Sequence, residues 1–581
     1  MTWQTVASEP SRVPVQIVEV DLDYVENGPA TMASGALGYK TPHTTDDAGT
    51  SGLEVTTKTR RWMSRHVTPV GTLSAVPCVS SISISSEEIR VARGLGFFGQ
   101  ATVSLVDFVD DDREEDPYYD DSSRSGVDHT AGTYFGKLVA RTGGYWSGRS
   151  IRIIEGWLED GVYNSSNSLT RNYLIRDIQG PVGGRFTVTC AGPLQLLNLD
   201  QKQAPAASRA KLTVDITDVA TSLPEASVDD PDSVMPSDGY IRIGDEVIKA
   251  VLSGSTWTLT RGQLSTTEEA HTNGDTIQPC LYYEDEDITD ILQDLLETQA
   301  GIDSSLLDLA GWAIEQDKWL RLYNLTGIVS EPTKVMDLVQ ELLEISACLL
   351  WWDDATGKVT LKALRPALAT DHTITDSYHL LSHVTTSRRM EDRVSSLDVL
   401  MVMTNGVAQI DEASSYKIRV VGQSLGAGTL EHKSAKIQQI ATRWLDRAQT
   451  AIAIRASFQT AKQLENGRVT YSFETSAKDA WLQLGDIVDI QSADLIDTEG
   501  EVATTRAMIV KRDIVQVGSK YRYVAEQFVF SGRFAYVTDA LVGSLPFPDY
   551  DNATADQRDP GWFLSDTDGT LPNGDPPYLL G

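Results

Sequence analysis

The stretch TRGQLSTTEEAHTNGD, Thr260 to Asp275, sets the imidazole of His271 close to the carboxylates of Glu268 and Glu269 and ahead of an Asn273-Gly274-Asp275 turn. Histidine changes charge near neutral pH, and a carboxylate can orient it, so this is the composition of a proton-transfer cluster. Such a cluster also needs a pocket and a nucleophile converging on it. The residues upstream, SDGYIRIGDEVIKAVLSGSTWTLTRG, read instead as three short strands. Tight turns separate them at Gly244-Asp245 and Gly254-Ser255, the second with glycine first as a type II′ hairpin favours. Trp257 and Leu259 share one strand face. His271 therefore lies in a connection of a small β unit, and a histidine bonded to turn carbonyls fits better than a general base.

The other candidate chemistry is equally thin. His372, His379 and His383 fall in HTITDSYHLLSH, and the last two could share a helix face for a metal, but no acidic third ligand stands at zincin spacing and the flanks are strand-like. GLGFFG, Gly94 to Gly99, matches a dinucleotide fingerprint, yet the strand-like ATVSLVDF follows where a helix is required, so a turn or bulge is expected. The acidic run from Asp107 to Gly126 has no calcium-loop pattern and reads as a solvated loop. Cys78, Cys190, Cys280 and Cys348 are dispersed, without CxxC or zinc spacing, and read as four reduced, buried thiols. There is no GxSxG and no phosphate loop, and no cysteine lies near a histidine in sequence, although pairing in space stays open. With 82 acidic residues, paired carboxylates carry no signal. No enzyme activity is expected.

The elements that would position these residues are many and small. A chain of 581 residues suggests roughly three to five domains. Its net charge of −33 argues against binding nucleic acid or an anionic membrane, and suits either solubility or a wall that must not retain DNA. No signal peptide or membrane span is expected, and synthesis in a cytoplasm is. Residues 1–60 read as one strand and a long loop. Period-two alternation with glycine punctuation makes 61–200 an antiparallel β unit. A small β domain comes next, over 201–283. Residues 284–384 form an α+β module, in which Ile288, Ile291, Leu292, Leu295 and Leu296 share one helix face behind an Asp287 cap, ended by Gly301. A second helix is capped by Ser330, with Pro332 in its first turn, and leads into a hairpin turning at Asp354 to Gly357. Residues 385–530 are expected to hold one long helix, Lys433 to Leu464, and a second barrel-like set of strands. The Pro-, Asp- and Gly-rich end, 531–581, reads as an extended arm.

Several pieces, in this order, resemble the central baseplate hub protein from the tail tip of long-tailed bacteriophages or gene-transfer particles, over roughly residues 11 to 530. They are VQIVEVDLDY; AVPCVSSISISSEEI followed by GLG and VSLVDF; DPYY; GTYFGKLVAR; GYWSGRSIRIIEGW; DGYIRIGDEVI; TLTRGQLSTTEEAHTNGD; and DAWLQLGDIVDI. The resemblance implies an α+β, β-rich multi-domain chain with two tube-like β-barrels separated by small β and α+β modules, assembled as a trimer whose six barrels meet a sixfold tube. It implies that Arg261, Gly262, His271, Gly274 and Asp275 are a structural turn signature. Relatives often carry four cysteines, proposed to hold an iron–sulfur cluster, after the DLDY segment. Here Val25, Ala30, Thr41 and Thr45 stand in their place, so no cluster and no cofactor is expected.

The function implied is that of a non-enzymatic virion protein of a siphophage-like tail. It would close the tail tube, dock distal tail, tail-tip and fibre proteins, hold the end of the tape-measure protein, and pass DNA only in transit. Two other classes remain. A carbohydrate- or receptor-binding tail protein would expose aromatics, for which Trp146, Trp157 and Trp257 are candidates, each also explicable as core or turn packing. A tail-associated peptidoglycan hydrolase would need a convergent catalytic site.

Overall fold

The structure is a computed structural model. It describes residues 13–25, 55–65, 74–89, 94–97, 99–110, 132–142, 144, 146–159, 162–198, 202–320, 323–364, 372–423, 435–464, 467–527, 533–535 and 578–580. Seven strands form a closed barrel: β1 (Val13–Val25), β2 (Val55–Ser64), β3 (Val76–Ile84), β4 (Gln100–Val106), β5 (Ser150–Glu159), β6 (Leu169–Val182) and β7 (Arg185–Ala191). Pairing runs β1-β2-β3-β4-β7-β6-β5 and returns to β1, and β2–β3 is the one parallel pair in this ring. Alternation explains the curl. Ala101, Val103 and Leu105 of β4 and Phe186, Val188 and Cys190 of β7 point inward. Helix α1 (Tyr134–Arg141) adds Tyr134, Phe135 and Leu138 to the same core. Phe135 stacks on Phe186 at 4.5 Å, and Trp62 on Trp146 at 6.1 Å. The barrel interior is thus packed with side chains and is no pore, as expected at this strand number.

The sequence reading leaves residues 1–60 outside the first barrel, and here it needs correcting. β1 and most of β2 are staves of it. Val18, Val20 and Leu22 face the core while Val15 and Ile17 pack on the outer face with Met63 and Ile154. With pairing along both edges, β1 is the strand that closes the ring.

A six-stranded sheet over 222–329 makes the small β domain. Its hairpins turn at Gly244-Asp245 and Gly254-Ser255, each glycine having positive φ (56° and 63°), the conformation those turns require. Trp257 and Leu259 are both buried, as the strand reading expects. The α+β module also matches in its first helix. Ile288, Ile291, Leu292, Leu295 and Leu296 are all buried, and Gly301 ends the run with φ 74°. Asp287 occupies the cap position without a side-chain cap bond.

Two expectations in this region fail. The second helix begins at Val335, after Lys334, and not behind Ser330. Thr333 and Lys334 are still extended because they pair with Ala204 and Gln203. The long helix over Lys433–Leu464 is a strand, Ile437–Ala441, followed by a helix, Thr450–Leu464. The strand adds in parallel to Ser396–Leu400. Sheet pairing beside a fully buried strand overrides the local helical pattern. Ile437 is 62% exposed, whereas Trp444 and Leu445 are buried.

Residues 396–464 also leave the expected second barrel. Leu397, Val399, Met401, Trp444, Ile452 and Ala456 share one core with the helices of the α+β module. The second β unit is instead an eight-stranded sheet whose main path runs 372–375, 487–496, 502–516, 520–526, 468–476, 385–389, with Glu87–Ile89 and Gly96–Phe97 paired off it. Among the described residues its two end strands do not pair with each other, so only the first barrel is closed. The chain between β3 and β4 crosses over to this sheet, where Glu87–Ile89 pairs with Lys511 and Arg512. The architecture is β-rich α+β, one closed barrel linked to a second sheet by the chain that leaves β3 and adds Glu87–Ile89 to that sheet.

Candidate functional site

The crossing strand brings together charges that are remote in sequence. Glu87 sits on it, Glu155 on β5, Arg171 on β6, Asp354 in the hairpin turn, and Arg512 on the strand Val502–Gln516. Each is at most 4% exposed. Arg171 donates from Nε to Glu155 and from Nη1 to Asp354, both at 3.0 Å. Arg512 donates to Asp354 at 2.6 Å, to Glu87 and to Gln483. Tyr173 reaches Asp354 at 3.2 Å, while Tyr521 and the Gly518 N–H close on the remaining oxygen of Glu155. The turn is pinned further, since the backbone and side-chain nitrogens of Asn172 donate to the Asp354 carbonyl at 2.7 and 2.9 Å.

Three carboxylates against two guanidiniums leave this cluster one negative charge in excess. Burial raises the Glu87 carboxyl above its ordinary range, opposed by Arg512 and reinforced by the neighbouring Asp354. Burial acts on Asp354 too, but Arg512 and Arg171, by charge and hydrogen bonds, bring it down to about 2. The Tyr173 hydroxyl is pushed well up by burial and by Glu87 and Asp354. A sealed cluster of this kind adds little net stability over an apolar junction, and its bonding is incomplete, since Arg171 Nη2 and Arg512 Nε are buried without a hydrogen-bond partner among the described residues. Its bonds join the barrel, the hairpin and the second sheet, a geometry suited to setting their registry.

The glycine motif beside it serves the same junction. Gly94 has φ 69°, and a Cβ there would lie 2.5 Å from the Cys348 carbonyl oxygen; at Gly96 it would lie 2.9 Å from the Trp351 Cβ, and at Gly99 2.5 Å from the Glu87 Cγ. The three glycines permit backbone contact with the hairpin and with Glu87. ATVSLVDF after them is strand β4.

In the small β domain the expected signature residues surround a carboxylate that the sequence reading does not single out. Glu246, fully buried, accepts from Arg261 Nε (2.8 Å) and Nη2 (2.6 Å), the N–H groups of Gly262 (2.9 Å) and Glu269 (3.2 Å), and pairs with His271 Nε2 at 2.9 Å. Burial alone would raise its pKa; the Arg261 hydrogen bonds, joined by those of Gly262, His271 and Glu269, hold it below the ordinary range. His271 thus bonds a buried carboxylate with its ring, and only its backbone N–H and carbonyl pair with Ile216, which corrects the expectation of a ring bonded to turn carbonyls. Asp275 accepts from the Thr272 N–H at 2.7 Å and Gly274 turns with φ 97°, closing the loop. Glu268 and Glu269 do not bring their carboxylates to His271 among the bonds described.

The remaining candidates separate. His379 Nδ1 accepts from the Thr375 N–H at 3.1 Å and His383 meets Asp494 at 3.1 Å, on a turn and not on one helix face. Among the described residues no three His, Cys, Asp or Glu side chains are grouped to hold a metal. Val25 ends β1 opposite Val55. Ala30, Thr41 and Thr45 lie outside the described residues, as do the acidic run beyond Asp110 and most of the 531–581 arm. Trp146, Trp157 and Trp257 are all buried, at 0%, 1% and 5% exposure, so none is a surface platform. All four cysteines are free thiols, three buried and Cys280 half-buried. Burial pushes Cys78, Cys190 and Cys280 up to about 12.

Glu87, Glu155, Asp354 and Arg512 escape sequence reasoning because no spacing links them. A weak buried-charge signal did exist at Glu246, which opens a largely apolar strand.

No family model and no curated protein matches the chain. Among solved structures, a tail protein from Neisseria meningitidis is similar at 10% identity and TM-score 0.32, covering 77% of this chain and 96% of its own. The 43 kDa tail protein of prophage MuSo2 from Shewanella oneidensis gives 9% and 0.34, covering 76% and 97%. A prophage tail protein from Listeria monocytogenes gives 8% and 0.28, covering 66% and 86%.

Proposed function

We propose that this chain is a structural protein of a phage-type tail, and within it the central hub of the tail tip. It forms a homotrimer, made in the bacterial host cytoplasm, that closes the tail tube in the virion. It docks distal tail, tail-tip and fibre proteins and lines part of the route of the tape-measure protein and DNA during ejection. The observation that carries this reading is the sealed junction. A closed barrel and a second sheet are joined through Glu87, Arg171, Asp354 and Arg512 in one fixed relation. A chain that must present two β units as neighbouring sectors of one ring needs that rigidity, and three such chains would make a closed cyclic assembly.

The first barrel is filled by Phe135, Trp62 and Trp146, so a channel would run between chains and not through a barrel. A net charge of −33 suits a wall past which DNA slides without being held. No helix among the described residues is long and apolar enough to cross a membrane. The role is non-enzymatic, and zymography on cell-wall material is expected to be blank.

Light scattering after size exclusion, with negative-stain images of the same peak, tests the assembly. Threefold rings with a central hole are expected. A monomer that still forms no ring when co-expressed with its tail-tip neighbours would end the hub reading.

A further inference from the structure

A cavity of about 500 Å³ opens on the second sheet, bounded by the strand His372–Thr375, the turn that follows it and the segment after Ser476. Its size is that of a small-ligand site. The walls combine rings with paired charges. The His372 ring lies 4.3 Å from that of Trp481 at 72°, and His379 lies 4.7 Å from Tyr378 at 88°. Lys478 Nζ sits 4.2 Å over the Tyr378 ring and 2.7 Å from Asp479. Tyr378 is 60% exposed at the rim, whereas Lys478 and Asp479 are buried.

The cavity is held in shape from below. Asp376 accepts from Ser492 Oγ and the Ala493 N–H, both at 2.7 Å, which pins the turn carrying Tyr378 and His379. The Leu381 N–H donates to the Glu474 carbonyl at 2.8 Å, and the Tyr523 hydroxyl to the Asp479 carbonyl at 3.0 Å. A site ordered in advance loses less entropy when filled.

Charge and hydrogen bonding narrow the ligand. Lys478 is already neutralised by Asp479, so among the described residues the cavity wall offers no spare cation for a phosphate or carboxylate. Thr375 donates its N–H to His379 Nδ1, which places the proton of the neutral ring on Nε2 as a donor. Burial first, and then the Lys478 charge, lower the His379 pKa to about 4, keeping that ring neutral at pH 7. Close-set donors and acceptors beside aromatic faces suit a ring that is hydroxyl-bearing at its edge and apolar on its C–H face.

We propose that this cavity is a binding site for a neutral saccharide, with Tyr378 as the stacking platform and His379, Lys478 and Asp479 as hydroxyl partners. The site lies within one chain, so it stands or falls separately from ring assembly.

The test is saturation-transfer NMR on the full chain with cellobiose, lactose and N,N′-diacetylchitobiose, and with a glucuronate-containing disaccharide as the anionic comparison. At least one neutral disaccharide is expected to bind in the millimolar range. Tyr378→Ala, at an exposed position that leaves the fold intact, should weaken it about tenfold, while Tyr378→Phe keeps the ring and the binding. No binding of any of the three at about 20 mM, a roughly millimolar-scale ceiling, would overturn the proposal. So would unchanged binding by Tyr378→Ala, or equal binding of the anion.

Discussion

Replacing Arg512 by Met deletes a charge from the sealed junction while keeping the stem that packs there. The guanidinium is 2% exposed and donates to Asp354 at 2.6 Å and to Glu87 and Gln483. Its loss leaves three buried carboxylates around Arg171 alone. Removing one partner of a buried ion pair costs about 3–5 kcal/mol, and that is the loss expected at pH 7. The cost should shrink as pH falls from 7 towards 5, because burial raises the Glu87 carboxyl and losing Arg512 removes the charge that opposes that rise. The signs differ between the two acids. The raised Glu87 contributes stability below about 4.5 that is lost as pH rises through its folded value. Asp354, held at about 2 against an ordinary 3.8, contributes stability above 3.8 that is lost as pH falls through 2, worth about 2 kcal/mol in the wild type. That acid loss should be smaller in Arg512→Met, which lacks the larger of its two guanidinium stabilisers. Urea unfolding followed by fluorescence and by limited proteolysis, at pH 7 and pH 5, reads the first effect, and the same unfolding carried below pH 3.8 reads the second. Proteolysis should open the crossing around residues 87–99 before the barrel itself. Adding Glu87→Gln to Arg512→Met should recover about 1 kcal/mol or more, since neighbouring sites are not additive. A single transition shifted by less than about 1 kcal/mol at pH 7, with no narrowing at pH 5, would refute the registry role assigned to this cluster.

Glu246→Gln should destabilise the small β domain by about 2–4 kcal/mol, because Arg261 loses its charged acceptor; hydrogen exchange at the Gly262 and Glu269 amides would show it. The Glu246 pKa is depressed, so this contribution is present above about 4.5 and lost as pH falls through its folded value; an acid melt of wild type against Glu246→Gln checks the sign. Gly94→Ala should cost about 1–3 kcal/mol by urea unfolding, since a Cβ would meet the Cys348 carbonyl and Leu343 at a positive φ. The thiols of Cys78 and Cys190, buried and raised to about 12, should react with a thiol reagent at pH 8 only after denaturation, with Cys280 the first exception.

Local signals were legible wherever one residue's neighbours in sequence were also its neighbours in space. Alternation marked β4 and β7, turn chemistry placed the hairpins at Gly244, Gly254 and Asp354–Gly357, and the 3.6 period put Ile288, Ile291, Leu292, Leu295 and Leu296 on one buried face. Strand-like flanks were enough to move GLGFFG away from a nucleotide site. The same reasoning failed at Lys433–Leu464, where a helical period lost to parallel pairing with Ser396–Leu400, and at Ser330, where an extended pair with Gln203 and Ala204 delayed the helix.

By itself, then, the chain's sequence determined its β-rich class, its acidity, its hairpins and the absence of any spaced catalytic or metal motif. Tertiary structure alone decided that β1 closes the first barrel, that residues 396–464 belong to the α+β core, and that Glu87 lies beside Arg512. It also decided that Tyr378 and Trp481 share one cavity. The physical reason is range. Hydrophobic period and turn preference act over a few residues, while a buried ion pair joining positions 425 residues apart has no local signature and exists only once the sheets have met.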